Sequence, residues 1–249
     1  MLPRRISQFL LVYLLGIGFL FGLKIVLGLS DYVIPGPSDV WQTGRTEFAR
    51  YAGDVLNTFS VAVIGQLLSI VMALFVGVAG RRATWLGSFI KVAAYNVQAY
   101  PIVAIAPILF ILLGDGFLTR LFIAAMICYF PLLLSVIGIM SEPVADIEHF
   151  YRVTGRMRWQ LEVKIRAFEN LHKLTTVISG SATLAMAGTI VAEFIAANAG
   201  IGYSIRIALY QSDLAKILVA LFIIGITLSL YQGVLEMLGA GVKKAWAAG

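Results

Sequence analysis

Few residues of this chain could do chemistry, and most of them stand beside apolar runs. Glu193 and Glu236 are the carboxylates carried by long apolar stretches. An ionisable group at membrane depth marks an ion or substrate path by default. Both stand near the end of their stretch, so Glu193 can equally cap or lock the polar turn that begins at Asn198, and Glu236 can reach water. Gln66 is the most polar residue in the middle of its run, and Asn96, Gln98 and Tyr100 cluster just before Pro101. These are neutral hydrogen-bonding groups, suited to lining a path and silent about the charge of what passes. His149 and His172 lie in a charged segment with no cysteine partner and no metal-ligand spacing. Cys128 is the only cysteine and reads as a packing thiol. No Ser/His/Asp set, paired carboxylates or His-rich group falls within the apolar runs, which argues against an embedded enzyme.

The elements that must position these residues are membrane helices. The chain has 249 residues, 60% hydrophobic and 13% charged, with mean hydropathy +0.91. Soluble domains carry about 25% charged residues. A span takes about 20 apolar residues, so the length accommodates roughly six. We read them at 9–29, 56–79, 85–113, 117–140, 176–197 and 217–238: an all-α integral membrane protein forming one transmembrane domain over 1–249. A signal peptide competes for the first run, which exceeds a core of about 7–15 residues and lacks a small-residue cleavage site. Lys24 is expected to snorkel.

Residues 30–53 read as a polar connection, with a turn at Pro35-Gly36-Pro37 and a short helix capped by Ser38. The third run is too long for one straight helix, and Pro101 and Pro107 are both expected to interrupt it. Irregular backbone at membrane depth is tolerated against protein or a water-lined cavity. The break with its Asn/Gln/Tyr cluster is therefore either a pathway lining or a packed kink. In the fifth span, Ser181, Ala185 and Thr189 recur at steps of four and let another helix approach closely. Residues 198–203 read as a turn or re-entrant stretch.

Six spans place both ends on one side. Arg4, Arg5, Arg81, Arg82, Arg152, Arg156, Arg158, Lys164, Arg166, Lys173, Lys243 and Lys244 fall on that side, against Arg45, Arg50, Arg120, Arg206 and Lys216 on the other. The positive-inside rule makes the termini cytoplasmic. It also accounts for the net charge of +6 without nucleic acid. The cytoplasmic side then includes residues 141–175, the longest charged stretch in the chain, read as two short helices joined near Gly155. Phe150, Val153, Met157 and Leu161 follow helical steps, and Arg152, Arg156 and Arg158 surround that edge. Such an edge fits a partner's groove. The alternative is a loop whose cations fix topology and touch lipid headgroups.

Tyr151-Arg-Val-Thr-Gly155-Arg-Met-Arg-Trp-Gln-Leu161 resembles the coupling loop of binding-protein-dependent ABC importer permeases. Ile34-Pro-Gly-Pro-Ser-Asp-Val40, Ala99-Tyr-Pro101 through Pro107, Gly114-Asp-Gly116, Phe130-Pro131 and Val191-Ala-Glu-Phe194 through Tyr203 resemble further family segments, in the family's order. The nearest subgroup is the nitrate/sulfonate/taurine type. The resemblance implies a type I ABC importer permease fold in the cell inner membrane. In that family the loop docks as a short helix on a cytoplasmic ATPase and passes its closure to the spans. Phe150, Arg152, Gly155, Arg158, Trp159, Gln160 and Leu161 would couple to the ATPase. Gln66, Asn96, Gln98, Tyr100, Pro101, Glu193 and Asn198 are the candidates for the translocation pathway. Here His149, Phe150 and Tyr151 replace the family's Glu-Ala-Ala, and Phe168 its later proline. That departure implies a matched ATPase groove or a different second permease chain.

The resemblance further implies an ATPase dimer, a second permease copy or related chain, a periplasmic substrate-binding protein and surrounding lipid as partners. The solute would be small, anionic or heterocyclic. The sequence holds no Gly-x-x-x-x-Gly-Lys-Ser/Thr phosphate loop. ATP and Mg are expected on the partner, with no cofactor or metal on this chain. An ion- or proton-coupled secondary transporter is the competing function; it would carry an internal repeat and a midplane ion site, and neither is visible.

Overall fold

The structure is a computed structural model that describes residues 2–81, 85–155 and 158–247. Arg82, Arg156 and Met157, used above for topology and for the apolar edge, lie outside the described residues. The architecture is all-helical. Its elements are α1 (Leu2–Leu27), α2 (Pro37–Gly80), α3 (Trp85–Ala99), α4 (Ile102–Leu113), α5 (Phe117–Ser141), α6 (Ala145–Thr154), α7 (Trp159–Glu169), α8 (Leu171–Ile195), α9 (Ile201–Tyr210) and α10 (Leu214–Ala247). Among the described residues five helices are long and apolar enough to span a membrane, or six if the bent pair α3–α4 is one span.

The core is the trio α2, α5 and α8. Small residues bring these helices together. Gly65 meets Ala124, Gly77 meets Val136, and Gly188 lies against Ala124 and Ile127. A Cβ on Gly77 would stand 2.6 Å from Val136 Cγ1, so α2 and α5 are in backbone-scale contact. Ser181, Ala185 and Thr189 are all buried. The small-residue stripe therefore faces the middle of the bundle, where close approach supplies the dispersion and hydrogen bonding that hold membrane helices together. The other helices surround this trio. α10 packs on α2 and α8, α1 mainly on α10, and α3 and α4 on α5.

Three local expectations are corrected. The polar connection is shorter than read, because α2 starts at Pro37 and runs unbroken for 44 residues. No proline follows Pro37 until Pro101, and nothing in Ser38–Gly53 stops a helix once it is nucleated. The cap is Gly36 instead of Ser38. Pro37 takes the first helical position, where its missing N–H costs nothing, and the Asp39 carboxylate accepts from the Gly36 N–H at 3.1 Å. Finally, the third run breaks only at Pro101, since Pro107 sits inside α4. The α3 and α4 axes differ by 85°. Pro101 has no N–H to continue α3, and it starts α4 from an extended backbone.

Candidate translocation cleft, turn lock and coupling hairpin

The bend at Pro101 opens a cleft of about 380 Å³ between the α3–α4 elbow, α5 and α8. Gln98, Tyr100 and Ile102 line its elbow side, Met126, Phe130 and Pro131 the α5 side, and Ala187 and Gly188 the α8 side. The wall is apolar and aromatic apart from the Gln98 amide and the Tyr100 hydroxyl. Gly188 lets α8 close against α5 at the edge of the cleft, since a Cβ there would press to 3.1 Å from Ile127. Of the pathway candidates, the structure thus brings Gln98 and Tyr100 to a shared cavity, with Pro101 as the bend that makes it. Asn96 is exposed on α3 and does not line the cleft.

Gln66 does something else. It is fully buried, and its amide donates to the Ile178 carbonyl at 2.8 Å and to Ser181 Oγ at 2.9 Å. It clasps α2 to α8, and neither it nor its two acceptors lines the cleft. Its carbonyl oxygen has no partner among the described residues.

Glu193 and Asn198 belong to a second cluster that ties the α8–α9 turn to α2 and α5. The Glu193 carboxylate is fully buried. It accepts from Thr58 Oγ1 at 2.7 Å, from the Gly202 N–H at 3.1 Å and from Arg120 Nη1 at 3.2 Å. Arg120 also donates to Asn57 at 2.9 Å, and Thr58 accepts from the Ile201 N–H at 2.9 Å. Ser204 donates to Asp54 at 2.6 Å. The Asn198 N–H and side-chain amide both donate to Asp115, and Arg206 donates to the carbonyls of Phe194, Ile195 and Ala197. Gly200 has φ +91°, and a Cβ there would fall 2.2 Å from the Glu193 carboxyl carbon. Of the roles open to Glu193, the geometry realises the lock: its oxygens hold a turn and face no described cavity. Sequence reading missed Thr58, Asn57 and Arg120 as its partners. Their only signal was three polar residues in otherwise apolar helices.

On the face that carries both chain ends, the expected pair of short helices forms, but the segment ends earlier than read: α8 already begins at Leu171, so residues 171–175 belong to the spanning helix. α6 ends in Gly155, whose φ of +69° suits a residue without Cβ and whose N–H returns to the Tyr151 carbonyl at 2.8 Å. Arg158 then caps α7 from an extended backbone. Gly155 therefore divides the apolar edge, with Phe150 and Val153 on α6 and Leu161 on α7. Phe150, Val153, Trp159 and Leu161 are all exposed, as are Arg152, Arg158 and Gln160. This is a cluster of large apolar side chains on an otherwise charged element. Ile147 of α6 is buried.

The hairpin is nevertheless anchored. Glu162 on α7 is buried between Arg81 at the end of α2 (3.4 Å) and Arg166 (3.3 Å). Arg166 donates to the Glu142 carbonyl after α5, and Ser141 Oγ donates to the Arg81 carbonyl. The ends of α2 and α5 are thus bound to α7. Sequence reading counted these arginines only for topology; the Glu162–Arg166 spacing of four was the visible hint.

Residues 54–244 match the family model described as binding-protein-dependent transport system inner membrane component. A riboflavin transport system permease protein of Chloroflexus aurantiacus is 34% identical over 219 residues, covering 85% of this chain and 81% of the relative. A formylaminopyrimidine transport permease protein of Halalkalibacterium halodurans is 22% identical, covering 79% of each chain. A probable ABC transporter permease protein of Haemophilus influenzae is 24% identical, covering 80% of this chain and 82% of the relative. The solutes in these names are heterocycles, so the similarity supports the permease family without the nitrate/sulfonate/taurine subgroup. Permease subunits of this kind are non-catalytic parts of a transporter. The chain belongs to the family of binding-protein-dependent transport system inner membrane components.

Proposed function

We propose that this permease imports a small, planar heterocyclic solute, driven by a cytoplasmic ATPase that docks on the α6–α7 hairpin. The observation that carries the reading is the exposed set Phe150, Val153, Trp159 and Leu161 on a charged hairpin anchored to α2 and α5. Exposed apolar groups of this size, rimmed by Arg152 and Arg158, suit a protein groove. Movement of the hairpin would reach the bundle through Glu162 and Arg81. The basic-rich face, with both termini, is the cytoplasmic one. ATP and Mg sit on the ATPase dimer, and a binding protein delivers solute at the opposite face. A second permease copy or a related chain completes the path. The names of the two heterocycle permeases support the solute class. So does the cleft, whose Tyr100 and Phe130 rings and Gln98 amide could hold a flat, hydrogen-bonding ring. Nucleotide-driven closure would bias a two-state bundle between inward and outward access.

The test is to purify the tagged chain from its host with its bound proteins, reconstitute the complex and follow ATP-dependent uptake of riboflavin. Trp159→Ala should retain the fold and ATP hydrolysis but lose uptake. Unchanged uptake would remove the docking role, and a chain that transports alone without an ATPase would overturn the importer reading.

A further inference from the structure

A recess of about 610 Å³ opens at the face carrying both chain ends, between the start of α1, the first turns of α8 and the end of α10. Its floor is shut where α10 is pressed onto α8. A Cβ on Gly239 would come within 2.2 Å of the Thr175 methyl group. One wall is a neutralised pair. Arg5 donates to both carboxylate oxygens of Glu236, and to Gln232 at 2.7 Å. Both oxygens of the carboxylate are therefore engaged, and its charge is paired with Arg5.

What remains is unbalanced. Arg4 and Lys243 line the same recess, and their side chains have no ion-pair or hydrogen-bond partner among the described residues. Thr175 and Thr176 donate their hydroxyl protons to the Leu171 and His172 carbonyls, so the recess offers positive charge more than neutral donors. Like charges gathered in a partly enclosed space repel, and an anion among them turns that repulsion into attraction. The apolar surface of α1 begins two turns deeper, with exposed Leu11, Val12 and Leu14, so the recess lies at the edge of the apolar layer.

We propose that this recess binds a phosphate-bearing anion, held between Arg4 and Lys243 against the fixed Arg5–Glu236 wall. The same phosphate chemistry is offered by an anionic phospholipid headgroup and by free phosphate. Basic recesses between spans suit anionic headgroups, and α1 provides the apolar track for the acyl chains. The inference does not rest on the transport reading, and its test needs no ATPase.

The experiment compares the purified full chain, its Arg4→Ala/Lys243→Ala variant and a control variant, Arg45→Ala/Lys91→Ala, which loses the same charge elsewhere. Retention of phosphatidylglycerol against phosphatidylcholine is read by native mass spectrometry. Inorganic phosphate is titrated calorimetrically. The wild type and the control should prefer phosphatidylglycerol, and the Arg4/Lys243 variant should lose about thirtyfold in that preference, the product of two surface-cation contributions. Arg4→Lys/Lys243→Arg should keep it, separating charge from any effect on folding. Preference for the lipid without phosphate binding identifies a headgroup site, and saturable phosphate binding that is lost in the variant identifies a free-anion site. Equal retention of both lipids without phosphate binding, or a preference unchanged in the Arg4/Lys243 variant, overturns the proposal.

Discussion

Replacing Glu193 with Gln removes one charge from the lock on the α8–α9 turn while nearly preserving its shape. The carboxylate accepts three hydrogen bonds within 3.2 Å and is fully buried. After the change, Arg120 keeps Asn57 at 2.9 Å, but its charge is no longer compensated. Its Nε already has no partner among the described residues. Removing one member of a buried pair costs about 3–5 kcal/mol. Arg120 is 9% exposed and retains one acceptor, so the lower end applies: about 3 kcal/mol, or about two orders of magnitude in the folded-to-unfolded ratio. Arg120→Met should cost at least as much, because it leaves the fully buried carboxylate with only Thr58 and the Gly202 N–H and no opposing charge. The double variant removes both charges and should be no worse than Glu193→Gln. SDS titration in mixed micelles, followed by tryptophan fluorescence, measures all four corners of the cycle. Losses that add to within about 0.5 kcal/mol would show that the pair is not a unit and refute the lock.

Other outcomes follow from the same contacts. Gly77→Ala places a Cβ 2.6 Å from Val136 and should cost about 1–3 kcal/mol in that titration, while Gly138→Ala, whose Cβ meets nothing within 4 Å, should be near neutral. Gly200→Ala strains a φ of +91° and drives a methyl into the Glu193 carboxyl; hydrogen exchange across 198–203 should rise sharply. Glu162→Gln leaves Arg81 and Arg166 without their shared carboxylate. Exchange in α7 should then increase while α5 and α8 stay protected, and unchanged exchange would remove Glu162 as an anchor.

The helical class, the broken third run and the Gly155-centred hairpin were legible because each depends on local covalent facts. Apolar length sets a span, Pro101 lacks the N–H that would continue α3, and a left-handed Gly155 ends α6. The start of α2 was misread because polarity was taken for a loop, whereas a helix continues into polar sequence when nothing breaks it. The pathway candidates were harder. Polar residues in apolar helices are conspicuous, but their positions along the chain do not say whether they face a cavity or each other. Gln98 and Tyr100 reach the cleft, Gln66 clasps two helices, and Glu193 and Asn198 hold a turn.

By itself, then, the sequence determined what the solvent dictates: which stretches are apolar enough for a bilayer, where charge keeps the chain out of it, and where proline and glycine force a break. Tertiary structure alone decided which partners the buried polar groups found. Thr58 and Glu193 lie 135 residues apart, and Arg81 and Glu162 lie 81 apart. No local pattern encodes such pairings. They exist because small residues let α2, α5 and α8 approach closely enough for buried donors to meet acceptors, which a low-dielectric interior strongly favours.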